Sequence, residues 1–320
     1  MPDKPDSAHG APPSQPFIVS NELLGEPTLL RARLQQYGYL FLRGILDTTA
    51  LASVRKQIQE RLTGLGWLDA SGERVPAKNF SIYPGDPAYW AGLQAMLELP
   101  DLYALKSDPG LAGALSQIFD MKWFAHPRTV PRIAFPATTQ GRYESPAHQD
   151  YPYGQGGLDT VTAWITLGDC TRTDGSLEIM AGSHRKGLRT IYGGTEYRCA
   201  ATRVSVTNPA WHGGDVMAGD ALLFTSLTVH RARPNIGNRV RLSIDVRFQP
   251  EDSPLCQSAL EPAFRPRIPD WPHLLAPEIA AAVTAVPQHV HQVPAVRPED
   301  ALAPMTCQAF PWLVPASPSP

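Results

Sequence analysis

The sequence predicts a mainly β protein of the α+β type, a sheet sandwich or barrel with helices packed on its outside. Three observations point there. Up to about residue 120 the apolar residues recur at helical spacing. From about Trp123 to Gln249 the period changes, and short apolar runs alternate with Gly, Asn, Asp and Pro punctuation. Helices first and strands afterwards is the order that such an architecture produces. The chain has 320 residues, of which 43% are hydrophobic, enough for one sizeable core.

The elements follow in order. Met1 to Pro16 is polar, rich in Pro and Ser, and has no apolar signal core, so a disordered tail over residues 1–20 and a cytoplasmic protein are expected. Leu23, Leu24, Leu29, Leu30 and Leu34 suit a short helix over residues 22–36. The run from Tyr37 to Gly44 reads as a buried strand closed by glycine. Asp47 can cap the next helix, whose Leu51, Val54, Ile58 and Leu62 share one face. A further helix starts at Asp108-Pro109 and buries Leu111, Leu115, Ile118 and Phe119. The clearest strands are 158–167, 176–180, 221–230 and 239–248. After Pro250 the pattern fades into prolines, with helix-compatible pieces such as 277–286. The organisation is therefore a tail (1–20), a folded body (21–250) and a Pro-rich extension (251–320) that serves as lid, dimer contact or loose tail.

Composition narrows the function. A formal net charge of −2 gives no reason to expect nucleic acid or an anionic membrane surface as partner. No stretch approaches the roughly 20 apolar residues of a membrane span. Cys170, Cys199, Cys256 and Cys307 are scattered without a C-x-x-C pair, against a disulfide framework or a thiolate zinc site. The expected partner is a small-molecule substrate, and the chain a monomer or homodimer.

The chemistry-bearing residues begin with His148-Gln149-Asp150. In a strand, residues two apart point to the same face, so the imidazole and carboxylate can converge on one ion. The best third ligand is His230, which ends the apolar run from Ala221 to Val229. Two His and one carboxylate with the remaining positions open is the ligand set of non-haem iron(II) oxygenases. Pro234 to Asn238 reads as a turn. Folding the chain between Asn235 and Ile236 sets His230 opposite Arg241. In residues 239–248 Val240, Leu242, Ile244, Val246 and Phe248 fall on one side, Arg239, Arg241, Ser243, Asp245 and Arg247 on the other. A guanidinium beside a metal ligand can grip a dicarboxylate by two parallel hydrogen bonds. Each part has a plain reading: H-x-D arises by chance, a His after a strand is usually a core or surface residue, and alternating Arg usually marks a solvated face. Their conjunction in this order is far more specific.

These residues lie within longer motifs: Tyr37 to Leu46; His148 through Ala163-Trp164-Ile165-Thr166-Leu167 and Asp174-Gly175-Ser176-Leu177 to Ala181 to Gly187; and Gly219-Asp220 through His230 and Pro234-Asn235 to Arg241. In them the chain resembles the phytanoyl-CoA dioxygenase family of 2-oxoglutarate oxygenases, from about Tyr37 to Pro250. The resemblance implies a double-stranded β-helix (jelly roll, cupin-like) with flanking N-terminal helices and iron between its sheets. It implies Fe(II), 2-oxoglutarate and O2 as cofactor and co-substrates, His148, Asp150 and His230 as catalytic metal ligands, and Arg241 as the 2-oxoglutarate arginine. Gln149 and Trp164 occupy positions that the family places near the co-substrate. A hydroxylated residue two after the distal His assists in some members; here that position is Ala232, so the contact is missing or replaced, with Thr162 as candidate. Asp150 argues against halogenation, for which the family gives up the acidic ligand.

The activity implied is a dioxygenase that hydroxylates an unactivated C–H bond of a small biosynthetic metabolite, releasing succinate and CO2. Desaturation, cyclisation or epimerisation are alternatives on the same scaffold. Two rival readings are a metal-dependent enzyme without 2-oxoglutarate, for which Arg241 has no obvious use, and a non-catalytic jelly-roll binding module, in which two buried His and an Asp would be costly. His184 suits a structural turn, and His126 and His212 are not assigned to the metal. His289-Val290-His291 and His273 lie in the extension. Arg128 and Arg132 suit solvated or ion-paired roles, or contact with an acidic group. The aromatic segment 79–90, Tyr151 and Tyr153 suit either a pocket mouth or ordinary packing, and the basic stretch 185–203 suits a solvated loop.

Overall fold

In the computed structural model, residues 14–76, 82, 87–137, 145–192, 201–202, 204, 209–261 and 286–296 are described. The helices begin where the sequence places its caps. The helices are α1 (Pro27–Tyr37), α2 (Thr48–Gly64), α3 (Pro87–Leu97), α4 (Pro100–Ala104), α5 (Pro109–Phe119) and α6 (Tyr151–Gly154), and Asp47 caps α2 by accepting from the Thr49 amide at 2.8 Å. In α2 the buried residues are Leu51, Val54, Ile58 and Leu62, the predicted face. Asp108 caps α5 through the Leu111 amide at 3.0 Å, and its other oxygen takes the Asp47 amide at 2.9 Å, tying the two helix starts together. The expected helix over 22–36 is a short 3-10 turn, Asn21–Leu23, and then α1. Gly38 ends α1 at φ 79°. Of the aromatic segment 79–90, Phe80 and Tyr83 lie outside the described residues, while Tyr89 and Trp90 belong to α3; Tyr89 is buried and stacks on Trp67 at 6.1 Å.

The strands are β1 (Tyr39–Leu42), β2 (Trp123–Ala134), β3 (Ser145–His148), β4 (Val161–Thr166), β5 (Leu177–Met180), β6 (Ile191–Tyr192), β7 (Ala201–Thr202), β8 (Trp211–Gly213), β9 (Ala221–Thr225), β10 (His230–Ala232), β11 (Arg241–Pro250), β12 (Leu255–Cys256) and β13 (Gln292–Val293). A larger antiparallel sheet has the order β1-β9-β4-β11-β2, and a smaller one the order β3-β10-β5-β8. Side chains alternate across the larger sheet as strand geometry requires. Leu40, Leu42, Val161, Ala163, Ile165, Leu223, Leu242, Ile244, Val246 and Phe248 pack with α1, α2, α3 and α5 in the main core. Tyr39, Phe41, Trp164, Leu222 and Phe224 point the other way, and join Leu177, Ile179 and Ala232 of the smaller sheet in a second core. The sheets thus face each other, with helices behind the larger one, and the alternation read in residues 239–248 is that of β11.

Two expectations about the chain near His230 are corrected. Residues 221–230 are not one strand: β9 ends at Thr225, and the chain turns into the opposite sheet before β10 begins at His230. No Gly or Pro marks this turn. Its polar groups make it: the Ser226 amide and hydroxyl donate to the Thr160 and Leu158 carbonyls (3.0 and 2.8 Å), and the Thr228 amide to the Thr225 carbonyl (2.9 Å). Likewise β10 and β11 are not a hairpin, so His230 does not face Arg241. The connection crosses back to the larger sheet. The Ile236 and Gly237 amides donate to the Thr173 carbonyl (2.7 and 2.9 Å), and the Asn235 side chain donates to the Ala134 and Arg239 carbonyls (2.9 and 2.7 Å).

Residues before 21 also make contacts with the body. The Gln15 amide donates to the Trp211 carbonyl and its carbonyl accepts from Gly213, both at 2.8 Å, while Phe17 packs against Tyr39 and Phe41. Beyond β11, Leu255, Ala259 and Val290 cluster with Phe124, and the Gln155 side chain exchanges two hydrogen bonds with the Val296 backbone (2.7 and 3.0 Å). The helix-compatible piece at 277–286 lies, but for Val286, outside the described residues, as do His273, Cys199, Cys307, Arg198 and Arg203. Among the described residues no helix is long and apolar enough to cross a membrane.

Candidate active site

The site lies between the sheets, where β3 ends and β10 begins. His230 is the register partner of both His148 on β3 and Ile179 on β5. The two imidazoles are therefore cross-strand neighbours, with ring centroids 4.2 Å apart. Asp150 reaches them by a different route from the one expected. It lies beyond the end of β3, in the helical region at the start of α6, so the turn and not strand alternation brings its carboxylate round. Asp150 Oδ1 is 4.0 Å from His148 Nε2 and 3.8 Å from His230 Nε2. These spacings are too long for hydrogen bonds, yet all three donor atoms lie within 4.8 Å of one another.

Each donor has its other polar atom committed. His148 Nδ1 donates to the Pro146 carbonyl at 2.8 Å, and His230 Nδ1 to the Thr228 carbonyl at 3.1 Å. This sets the tautomer in which both Nε2 lone pairs are free. Asp150 Oδ2 accepts from the Thr162 hydroxyl at 2.7 Å and pairs with Arg247 Nη2 at 3.1 Å, leaving Oδ1 for an ion. Electrostatics favour the ligating forms. Burial, reinforced by His230, pushes His148 down to about 3, and burial also lowers His230, so both rings stay neutral near pH 7. Burial alone would raise Asp150, but Arg247, the two histidines and the Thr162 hydroxyl outweigh it and hold the carboxyl well below the usual range. Two neutral imidazoles and an ionised carboxylate, all buried, fit a hard-to-borderline divalent metal with open coordination positions.

The remaining predicted residues are arranged around this centre. Arg241 is buried at the start of β11. It donates from Nη1 to the Ser243 hydroxyl at 2.7 Å and from Nη2 to the Gly175 carbonyl at 3.2 Å, and lies 5.7 Å from the Trp164 ring centroid. None of the ion pairs among the described residues involves it, and its buried Nε has no partner. A buried guanidinium in that state fits an incoming carboxylate. Trp164 donates to the Ser243 hydroxyl at 3.1 Å, which puts it beside Arg241. Gln149 is fully buried, and its amide is used up elsewhere: it donates to the Leu227 and Gly187 carbonyls (2.6 and 3.0 Å) and accepts from the Arg189 amide (2.8 Å). It pins the H-x-D turn to the chain around it. Thr162, expected to replace a co-substrate contact, spends its hydroxyl hydrogen on Asp150.

Arg247 is the functional neighbour that sequence reading did not single out. It appears there only as one of several alternating arginines. Its closeness to Asp150 depends on the pairing Arg247↔Thr162 between β11 and β4, a long-range register with no local signal. The other histidines among the described residues stand apart from the triad. His184 Nε2 donates to the Gln35 carbonyl at 2.9 Å, His126 bonds Gln249 at 2.8 Å, and His212 bonds the Tyr39 hydroxyl at 2.6 Å. His289 pairs with Glu251 at 3.2 Å. Arg132 pairs with Asp245 at 2.7 Å, and Arg128 donates to the Glu261 carbonyl at 3.0 Å. Tyr153 is in ring contact with His148 at 6.3 Å.

Comparison with known proteins agrees with this geometry. Residues 34–243 match the phytanoyl-CoA dioxygenase (PhyH) family. The chain is 28% identical over 252 residues to 1-deoxypentalenic acid 11-beta-hydroxylase of Streptomyces arenae, covering 75% of this chain and 87% of that protein. The Streptomyces exfoliatus enzyme of the same name is 26% identical, covering 77% and 89%. Among solved structures the fold is shared with the non-heme monooxygenase ThoJ (TM-score 0.53, 15% identity, 88% of this chain and 92% of that one). It is shared too with EvdO2 from Micromonospora carbonacea, solved with 2-oxoglutarate (TM-score 0.52, 18% identity, 74% and 93%). The family match and the curated relatives, with which the jelly-roll fold and the buried donor set agree, make this a non-haem oxygenase that uses iron(II), 2-oxoglutarate and dioxygen. Within that class the chain belongs to the phytanoyl-CoA dioxygenase family.

Proposed function

We propose that this oxygenase hydroxylates an unactivated C–H bond of a small organic substrate, with His148, Asp150 and His230 holding iron(II) and Arg241 holding the distal carboxylate of 2-oxoglutarate. The observation that carries the reading is the pair of Nε2 atoms and the single free carboxylate oxygen, turned toward one another in the interior while every companion atom is engaged. The two Streptomyces relatives, both named as hydroxylases acting on an organic acid, support hydroxylation as the outcome.

Bound iron(II) supplies the activation of dioxygen, coupled to conversion of 2-oxoglutarate into succinate and CO2 and to transfer of one oxygen atom to substrate. The protein's part is positioning and exclusion of water. Neutral imidazoles present lone pairs without prior loss of a proton. Thr162 and Arg247 keep Asp150 ionised and turned so that one oxygen faces the histidines. Arg241, fixed by Ser243, Gly175 and Trp164, presents N–H groups that meet a carboxylate without rearrangement.

The test is an anaerobic titration of metal-free protein with iron(II) and then 2-oxoglutarate, following the visible charge-transfer band of the chelate. A band in the wild type that needs at least tenfold more 2-oxoglutarate in Arg241→Ala supports metal site and anchor together; loss of a charge-assisted pair is worth that much. Iron binding without a band would sink the reading. Substrates are then screened by succinate release, beginning with small carboxylic acids.

A further inference from the structure

Among the described residues two that are not glycine have a positive φ, Asp120 and Gln155. Asp120 (φ 54°, ψ 23°) ends α5 in the ordinary left-handed cap. Gln155 (φ 45°, ψ −166°) does not. That backbone region belongs almost to glycine alone, and a side chain held there stores strain that its surroundings must offset. The strained residue closes α6, the single turn that Asp150 opens.

The C-terminal extension supplies the offset. Gln155 Nε2 donates to the Val296 carbonyl at 2.7 Å, and Oε1 accepts from the Val296 amide at 3.0 Å. Nε2 also donates to the Pro152 carbonyl, inside α6, at 2.9 Å. One carboxamide thus joins α6 to a strand of chain 141 residues further on, and it grips backbone only, since the Val296 side chain is exposed. The returning segment, residues 286–296, has a seat of its own. Its β13 pairs with β12, the Leu255 amide donates to the His291 carbonyl at 2.8 Å, and Val290 is buried against Phe124, Leu255 and Ala259.

The turn in its middle carries the ligand. A helix of four residues has no stability of its own, so what it touches must hold it. The Tyr153 and Gly154 amides donate to the Asp150 carbonyl (3.0 and 2.9 Å), and the Tyr151 amide to the Ser226 carbonyl (2.9 Å). The far end lies on Arg247: a Cβ at Gly154 would stand 3.7 Å from its Cδ and Nε. Arg247 in turn pairs with Asp150 Oδ2. A shift of α6 therefore moves Asp150 and its cation together.

We propose that Gln155 is a positioning residue, through which the returning segment 286–296 braces the turn that carries Asp150. This rests on the reading of Asp150 as a metal ligand given above. It gives the extension a task other than covering the site, joining two copies or hanging loose.

The experiment uses the full-length chain with Gln155→Leu, Gln155→Gly, Val290→Ala, the Gln155→Leu/Val290→Ala double variant and Asp150→Asn. Each is titrated anaerobically with iron(II), and separately with cobalt(II), whose visible bands report the geometry of the donor set. Gln155→Leu should bind iron(II) roughly tenfold more weakly than wild type and show altered cobalt bands, because a displaced ligand is the usual result of losing its support. Gln155→Gly relieves the strain but also loses the brace, so it should share the defect. Val290→Ala loosens the seat of the segment away from α6 and should show a smaller defect of the same kind. The double variant should bind no more weakly than Gln155→Leu, since both changes act through one contact. Wild-type iron affinity and cobalt bands in Gln155→Leu, even with a lowered Tm of the metal-free protein, would overturn the proposal in favour of a purely structural role. Full affinity in Gln155→Gly, or additive losses in the double variant, would overturn it too. In each of these cases a large loss of affinity in Asp150→Asn leaves the ligand reading standing; normal affinity in Asp150→Asn would overturn both.

Discussion

Replacing Thr162 by valine removes one hydrogen bond and keeps the shape of a strand residue. That bond, 2.7 Å from the hydroxyl to Asp150 Oδ2, is charge-assisted and fully buried. A hydrogen bond to a charged group contributes about 1.5–3 kcal/mol, equivalent to roughly one to two pKa units on the carboxyl. The sign follows from the direction of the shift. Asp150 is held below its ordinary value, so its contribution to stability is present above the unfolded carboxyl range and is lost only as pH falls through the folded value. The metal-free variant should therefore be less stable by about 1.5–3 kcal/mol, and equally so at pH 6, 7 and 8. Iron affinity should fall roughly 10- to 100-fold, the usual cost of losing a partner of a ligand. Urea unfolding of chelator-treated protein at the three pH values, followed by iron(II) titration at pH 7, measures both. Unchanged unfolding midpoints together with unchanged iron affinity would refute the claim that Thr162 orients Asp150. A deficit that varied between pH 6 and 8 would assign the effect to another titrating group.

Lys106 is buried under β2 and donates to the His126 and Pro127 carbonyls (2.7 and 2.6 Å); burial pushes it down to about 7. Its unfolded form keeps its proton to a much higher pH, so wild-type stability should climb relative to Lys106→Met from about pH 7 upward, by at most about 1.4 kcal/mol per pH unit; parallel pH curves in urea unfolding would contradict this. Gly38 has φ 79°, and a Cβ there would clash with His184 Nδ1 and come within 2.6 Å of Thr228 Oγ1. Gly38→Ala should cost at least about 1–3 kcal/mol, read as a lowered Tm by calorimetry, since strain and overpacking add; a Tm equal to wild type would show that the contact relaxes freely.

Much of the fold and the donor set can be read locally, and the failures share a cause. The caps at Asp47 and Asp108 and the four-residue face of α2 depend on neighbours within one turn, so they are legible. The alternation of β11 is legible for the same reason, because its two faces meet helices on one side and polar groups on the other. The run from Ala221 to His230 misleads because an apolar stretch looks the same whether it stays in one sheet or turns into another. The turn at Ser226 is made by hydrogen bonds to Leu158 and Thr160, far away in the sequence. The supposed hairpin fails likewise, its Asn235 being claimed by Ala134 of β2. In the site, residue types announce the three donors, whereas the roles of Arg247, Thr162 and Gln149 depend on contacts with residues distant in the sequence that no local pattern encodes.

The two crossings that flank His230 give β10 the character of a rivet. The chain leaves the larger sheet after β9, spends three residues in the smaller one, and returns for β11. His148 and His230 meet within the smaller sheet, but Asp150 beside them is held by Thr162 and Arg247 of the larger one, so the donor set needs both leaves, and a nascent chain short of residue 230 lacks the third donor altogether. Closing a segment of that length costs chain entropy that only the finished core repays. On the proposed reading of the triad, iron capture thus becomes a report of completed folding. A half-made chain offers no organised seat for a redox-active ion, which keeps dioxygen chemistry from starting on a scaffold that could not yet direct it.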